Sequence, residues 1–104
     1  MLYTVVVTIG RNIGTMPMPS MEWAHFLTAV ERALMSRGQL LSFPVTGNDQ
    51  TGEWEGQHES SAVFVAFVHE QELAYIRDRV TAVRIEYGQE AAGFIAVGGT
   101  NHVV

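Results

Sequence analysis

Apolar residues first alternate along the chain and then recur with a helical period. Leu2 to Ile9 follows the two-residue repeat of a β-strand, and its odd positions (Tyr3 onward) predict the buried side. Ser20 predicts the N-cap of a first helix, and Gly38 predicts a left-handed residue at its end. An apolar stripe between them predicts the face that packs on the core. The stripe contains Trp23, Phe26, Leu27, Val30, Ala33 and Leu34.

The second half of the chain repeats this succession of strand and helix. Gln39 to Thr46 predicts a strand that Pro44 confines to a sheet edge, because proline cannot donate to a strand ladder. Ala62 to Val68 is apolar at every position and predicts a central strand covered on both faces. A second helix is expected from His69 and Glu70 to Gly88. Its stripe contains Leu73, Ile76, Val80, Val83 and Tyr87.

A last strand is expected over Ala91 to Val97, followed by a loose tail. The order strand, helix, strand, strand, helix, strand predicts one α+β domain over residues 1–104. The predicted architecture is a ferredoxin-like βαββαβ sandwich, a four-stranded antiparallel sheet with two helices on one face. The other face is too apolar to be exposed to water across four strands. We therefore expect a homodimer that packs sheet face against sheet face.

Charge and composition narrow the function. The net charge is −5, and the six cations are arginines scattered along the chain, so we expect no nucleic-acid partner. The absence of cysteine excludes disulfides, thiolate catalysis and Cys-ligated zinc. The opening residues lack a basic leader, and no apolar run reaches the ~20 residues of a bilayer span. We therefore expect an acidic, cytoplasmic protein without a membrane partner.

The segment 47–61 is acidic and aromatic between two apolar runs. Alternate positions of an extended segment place several carboxylates on one side, and Trp54 and His58 on the other. Such carboxylates suit a divalent cation or acid–base chemistry, and a solvated acidic loop is the alternative. A DxDxDG loop and a helical zinc motif are both absent, so we predict no metal or cofactor. We predict that Trp54, His58 and Glu59 contact a ligand or partner.

Arg11 follows the first strand and should emerge near one end of this acidic segment. It could bind an anion, or form an ion pair with Glu59 that fixes the loop. Trp54 could stack on a ligand, or it could be a lid packed over the core. Both alternatives stay open on the residues alone. No GxSxG elbow or other catalytic set is present, so no catalytic residue is predicted.

A set of short motifs spans nearly the whole chain and resembles an uncharacterised family of small bacterial and phage domains. That family carries a strand-end Phe-Gly-Arg, a Trp-x-x-Phe helix, a Gly-x-Trp, an Arg-Glu-x-Ser and a Phe-Gly-Gln-Glu-Ser. Here Ile9 replaces the aromatic residue, His58 the Arg and Ala91 the last Ser. The family is a domain of unknown function, so the resemblance implies a fold rather than an activity. The matching residues are Gly10, Arg11, Trp23, Phe26, Gly52, Trp54, Glu59, Ser60, Tyr87, Gly88, Gln89 and Glu90.

These features favour a non-enzymatic binding or interaction protein that acts as a homodimer. Its contact surface is the segment 47–61, and Arg11, Tyr87 and Gln89 assist it. One alternative is a small enzyme of the dimeric α/β-barrel kind that acts on a small organic ligand. Another is a structural component of a larger assembly, possibly of a phage. Whether the protein catalyses a reaction is left open by the residues.

Overall fold

The computed structural model describes residues 1–47, 53–54, 57–58 and 61–98. A 3-10 turn, Glu70–Glu72, precedes the second helix. Two-residue pairings join Asn12–Ile13 to Met16–Pro17 and Glu53–Trp54 to Gln57–His58. The six main elements are β1 (Leu2–Gly10), α1 (Ser20–Met35), β2 (Gly38–Gly47), β3 (Ser61–His69), α2 (Leu73–Glu86) and β4 (Gly93–Gly98).

The main sheet has four antiparallel strands in the order β2-β3-β1-β4. β1 lies between β3 and β4, with Val5 opposite Ala66 on one side and Ala96 on the other. This order and the two crossover helices confirm the predicted ferredoxin-like α+β fold. The predicted centre of the sheet, β1 with β3, is also confirmed.

The core lies between the helices and one face of the sheet. The odd positions of β1 from Val5 to Ile9 and the even positions of β3 are buried, as the strand period requires. The predicted stripe of α1 is buried except for Leu27, which is partly buried, and α2 contributes fewer buried side chains. The buried apolar residues are Val5, Val7, Ile9, Met18, Trp23, Phe26, Val30, Ala33, Leu34, Ala62, Phe64, Ala66, Val68, Ile76 and Val80.

Both predicted ends of α1 were wrong in their detail. Ser20 is the first residue of the helix rather than its N-cap, which is Pro19, and no side chain caps the helix there. The Ser20 hydroxyl instead accepts a hydrogen bond from Arg11. The positive-φ glycines in the described chain are Gly14 and Gly88, so Gly38 is not a left-handed residue. Gly38 begins β2. Gly88 follows the end of α2, as predicted, and its φ is 76°.

The sheet leaves one face without helices. We call it the open face. It comprises the even residues of β1 from Leu2 to Thr8, the odd residues of β3 from Val63 to Phe67, and Ile95 and Val97 of β4. The prediction that β3 is covered on both faces was wrong within a single chain, because Val63, Val65 and Phe67 are only half-buried there. Ile95 is 60% exposed, and Val97 is 56% exposed. The apolar face predicted from the sequence is therefore present, and whether a second copy covers it is a separate proposal.

None of the helices in the described part of the chain has the length and apolar character needed to cross a bilayer.

Candidate functional site

Arg11 lies in the loop that follows β1, and its guanidinium holds that loop. Nε donates to the Met18 carbonyl at 2.7 Å, and Nη2 donates to the Ser20 hydroxyl at 3.3 Å. The Met18 amide in turn donates to the Arg11 carbonyl at 3.1 Å. These bonds fold residues 11–18 back on themselves and carry the buried Met18 side chain into the core. The described hydrogen bonds of Arg11 are thus with its own loop and with the first residue of α1.

Tyr87 and Gln89 lie where α2 ends, next to the same loop. The Tyr87 ring stacks on Phe26 of α1, with ring centroids 5.1 Å apart. Gln89 is 7% exposed, and its Nε2 donates to the Asn12 carbonyl at 2.8 Å. Nη1 of Arg84 donates to the Gln89 carbonyl, which holds the turn around Gly88. The turn therefore fastens α2 to the loop after β1.

Three of the six predicted site residues, Arg11, Tyr87 and Gln89, therefore come together at one end of the domain. Trp54 and His58 belong to the short pairing in which Trp54 lies opposite Gln57. Glu59 lies outside the described residues, and so does the predicted ion pair between Arg11 and Glu59. The binding roles of these six residues stay predictions.

A groove opens on the helix side of the sheet, between α2 and the edge strand β4. We call it the α2–β4 groove, and its volume is about 450 Å³. Its floor is apolar, with Phe94 half-buried, whereas Glu70 and Arg77 are exposed at its rim. An aromatic ring, a carboxylate and a guanidinium around one groove can position a small polar aromatic ligand. The lining residues are Glu70, Leu73, Ala74, Arg77, Phe94 and Ala96.

Sequence reasoning missed this groove. The sequence predicts Leu73 in the apolar stripe of the second helix and Phe94 in a short last strand, and neither pattern indicates that the two lie together. The sequence assigns Glu70 and Arg77 no role beyond the second helix and the scattered arginines. The signal that could have revealed the groove was the choice of small residues at Ala74 and Ala96, which leave space between helix and strand.

The described residues hold no group of three or more His, Asp or Glu side chains arranged to bind a metal ion.

The chain resembles one solved structure in its fold, that of a phage SAM lyase in complex with S-methyl-5′-thioadenosine. The TM-score is 0.53 at 11% sequence identity, and the similarity covers 98% of this chain and 93% of the lyase chain. No protein-family model matches the chain, and no curated protein matches it. The similarity shows a shared fold, and the resemblance to the uncharacterised phage and bacterial family stays a prediction.

Proposed function

We propose that this protein is a binding domain that associates with itself through the open face of its sheet. The observation that supports the proposal is the uncharged character of that face. Its residues from β1, β3 and β4 include no Asp, Glu, Lys or Arg. They are Leu2, Thr4, Val6, Thr8, Val63, Val65, Phe67, Ile95 and Val97, and His69 lies opposite Leu2 at one end of the face.

A second copy suits this face because an uncharged surface meets its own copy without like-charge repulsion. Burial of one aliphatic side chain contributes roughly 1.5–3 kcal/mol when it is complete, so Ile95 and Val97 would each contribute about 1 kcal/mol. Face-to-face packing of two sheets also requires side chains that alternate along each strand, which the open face provides. A face-to-face dimer would leave both helix layers outside, with the α2–β4 groove of each copy accessible.

Val65→Lys tests this association. Val65 lies near the middle of the open face, between Ser42 of β2 and Val6 of β1. An ammonium group there would be buried without a partner in a face-to-face dimer, whereas in a free chain it can reach water. We expect sedimentation velocity at micromolar concentration to show that the wild type self-associates. The substitution should raise the dissociation constant about tenfold or more.

Ile85→Lys is the matched control, because Ile85 is 62% exposed on α2, away from the sheet. It should leave the assembly unchanged. Circular dichroism should show that both variants are folded. A wild-type monomer, or equal weakening by both substitutions, would refute association through the open face.

In this proposal the segment 47–61 contacts the ligand or protein partner, with Trp54, His58 and Glu59 as its residues. Its support is the concentration of carboxylates, Trp and His in one segment. Co-purification from the native host, followed by mass analysis, would identify the partner.

A small enzyme is the second candidate, and the α2–β4 groove is the observation that favours it. Ligand pockets commonly occupy about 300–1,000 Å³, so a groove of about 450 Å³ suits a nucleoside-sized molecule. The structure with the similar fold is a SAM lyase that holds S-methyl-5′-thioadenosine. We therefore choose S-methyl-5′-thioadenosine as the binding probe and S-adenosylmethionine as the test substrate.

Phe94→Ala tests this second candidate. Loss of the Phe94 ring should raise the dissociation constant of S-methyl-5′-thioadenosine, measured by calorimetry, by about 2-fold to 13-fold, because aromatic contacts are worth roughly 0.5–1.5 kcal/mol. Tyr75→Ala is the control, since Tyr75 is an aromatic residue of α2 that lies over Arg37 and outside the groove. No binding by the wild type, and no S-methyl-5′-thioadenosine formed from S-adenosylmethionine, would eliminate this candidate.

A further inference from the structure

We propose that β4 is a pairing edge for a second copy of this chain. The two β4 strands would lie antiparallel and extend the sheet. The α2–β4 grooves of the two copies would then adjoin, with Glu70 of each copy near Arg77 of the other. This contact differs from packing of the open faces and does not depend on it.

The two edges of the sheet differ in how well they are protected against pairing. The β2 edge carries Pro44, and its register with β3 shifts twice, between Leu40 and Ser42 and between Ser42 and Val45. Proline and bulges are features with which proteins block an exposed strand edge.

The β4 edge has neither feature. Its sequence GFIAVG contains no charge and no proline, and its register with β1 is unbroken from Gly93 to Gly98. Among the described residues, β1 is its only strand neighbour. An uncharged, regular edge of six residues is a template for another strand.

The charges beside β4 lie at opposite ends of the groove. The Glu70 amide donates to the Met1 carbonyl at 2.8 Å, so Glu70 lies where β1 begins and, because Tyr3 pairs with Gly98, where β4 ends. Seven residues of a helix advance about 10 Å, which carries Arg77 toward Phe94 at the start of β4. Each groove therefore has an anionic end and a cationic end.

An antiparallel pair brings opposite charges together twice. A two-fold axis through Ala96 sets Phe94 opposite the partner's Gly98 and Ile95 opposite the partner's Val97. Each helix layer then stays on the same side of the extended sheet. Because the start of one β4 meets the end of the other, the anionic end of each groove meets the cationic end of its copy. A parallel pair of the same two edges would place the helix layers on opposite faces of the sheet, so the charges of the two grooves would not meet and would not favour that arrangement.

The small residues Ala96 and Gly98 of β4 allow two β4 strands to pair closely. The partner's Gly98 leaves room for the Phe94 ring on the helix side, and two Ala96 methyl groups meet at the axis. On the open side, Ile95 and the partner's Val97 form the β-branched cross-strand pair that stabilises antiparallel sheets.

Charge reversal tests the arrangement. Arg77→Glu should raise the dissociation constant of this contact at least tenfold or so, because two attractive pairs become repulsive, and Glu70→Arg should do the same. An equimolar mixture of the two variants should associate again, since every facing pair is then attractive. Sedimentation velocity at low ionic strength measures the association of each variant and of their mixture. Added salt should reduce the differences in dissociation constant between them, because it screens the charges.

Arg79→Glu is the matched control, because it changes the net charge equally at an exposed position of the same helix outside the groove. It should leave the assembly mass unchanged. The proposal would be overturned if Arg77→Glu and Arg79→Glu weakened association equally. It would also be overturned if mixing the Arg77→Glu and Glu70→Arg variants did not restore association. Rescue would also exclude a foreign peptide as the occupant of the edge.

A cross-link separates this contact from packing of the open faces. The chain has no cysteine, so Ala96→Cys introduces a single thiol. Opposite residues of an antiparallel pair have Cβ atoms about 5 Å apart, which a disulfide can bridge after a small local shift. Mild oxidation should give a covalent dimer, and it should do so much faster than for the exposed control Ala82→Cys. An Ala96→Cys protein that stays monomeric would overturn edge pairing, whatever Val65→Lys shows about the open face.

Discussion

Gln89 is a polar side chain that the fold uses in its interior. Its amide reaches the Asn12 carbonyl across 77 residues of sequence, and among residues 1–40 and 61–98 it is the one buried polar residue. Arg11 behaves similarly, since its described bonds go to Met18 of its own loop and to Ser20 at the start of α1. Residues of this kind attract notice in a sequence as binding candidates. Here Gln89 joins the end of α2 to the loop after β1, and Arg11 joins that loop to the start of α1.

Gln89→Ala should destabilise the domain by about 1–3 kcal/mol, because it removes the donor and leaves the Asn12 carbonyl without it. Urea denaturation followed by tryptophan fluorescence measures this change. Gln71→Ala, at an exposed position of the 3-10 turn, should stay within roughly 0.5 kcal/mol of the wild type. Equal stability of the two variants would show that the Gln89 bond has no structural importance.

At the scale of elements, the junction of α1 and β2 depends on close backbone approach. A Cβ at Gly38 would lie 2.7 Å from the Leu34 carbonyl oxygen and 3.0 Å from that of Phe67. Both atoms belong to the backbone, so neither can rotate away. Glycine is therefore required by the packing of α1, β2 and β3 rather than by a left-handed conformation.

Gly38→Ala should destabilise the domain by about 1–3 kcal/mol, since the backbone must move to relieve the overlap. Gly93→Ala is the comparison, because its Cβ would meet the hydroxyl of the exposed Thr8 side chain, which can rotate. Thermal unfolding should place the Gly38 variant well below the Gly93 variant. The reverse order would contradict the packing explanation.

At the scale of the whole molecule, the sheet presents two surfaces for self-association, its open face and its β4 edge. A chain that uses both would form a tetramer or a longer assembly, whereas a chain that uses one would form a dimer. The assembly mass of the wild type, of Val65→Lys and of Arg77→Glu therefore reports which contacts form. The groove remains available to a small ligand in the face-to-face arrangement, and edge pairing would enclose it between two copies.

Much of the fold could be predicted because each pattern reflects a local periodicity. The alternation in β1 and the stripe of α1 predicted which side chains are buried, and Pro44 correctly placed β2 at an edge. Prediction failed where the decisive neighbour is remote in sequence. Ser20 faces Arg11 rather than its own helix amides, and Met18 is a core residue although prolines flank it.

The sequence by itself determined the order of the elements, the buried side of each and an uncharged face beyond the core, since hydrophobic burial acts through the spacing of side chains along one strand or helix. Only the tertiary structure decided that Gln89 meets Asn12, that Gly38 meets two carbonyls, and that Glu70 and Arg77 flank one groove beside an unprotected edge. Those contacts depend on how far apart separate elements lie and how they are turned, and no local pattern encodes a distance between segments that meet only after the chain has folded.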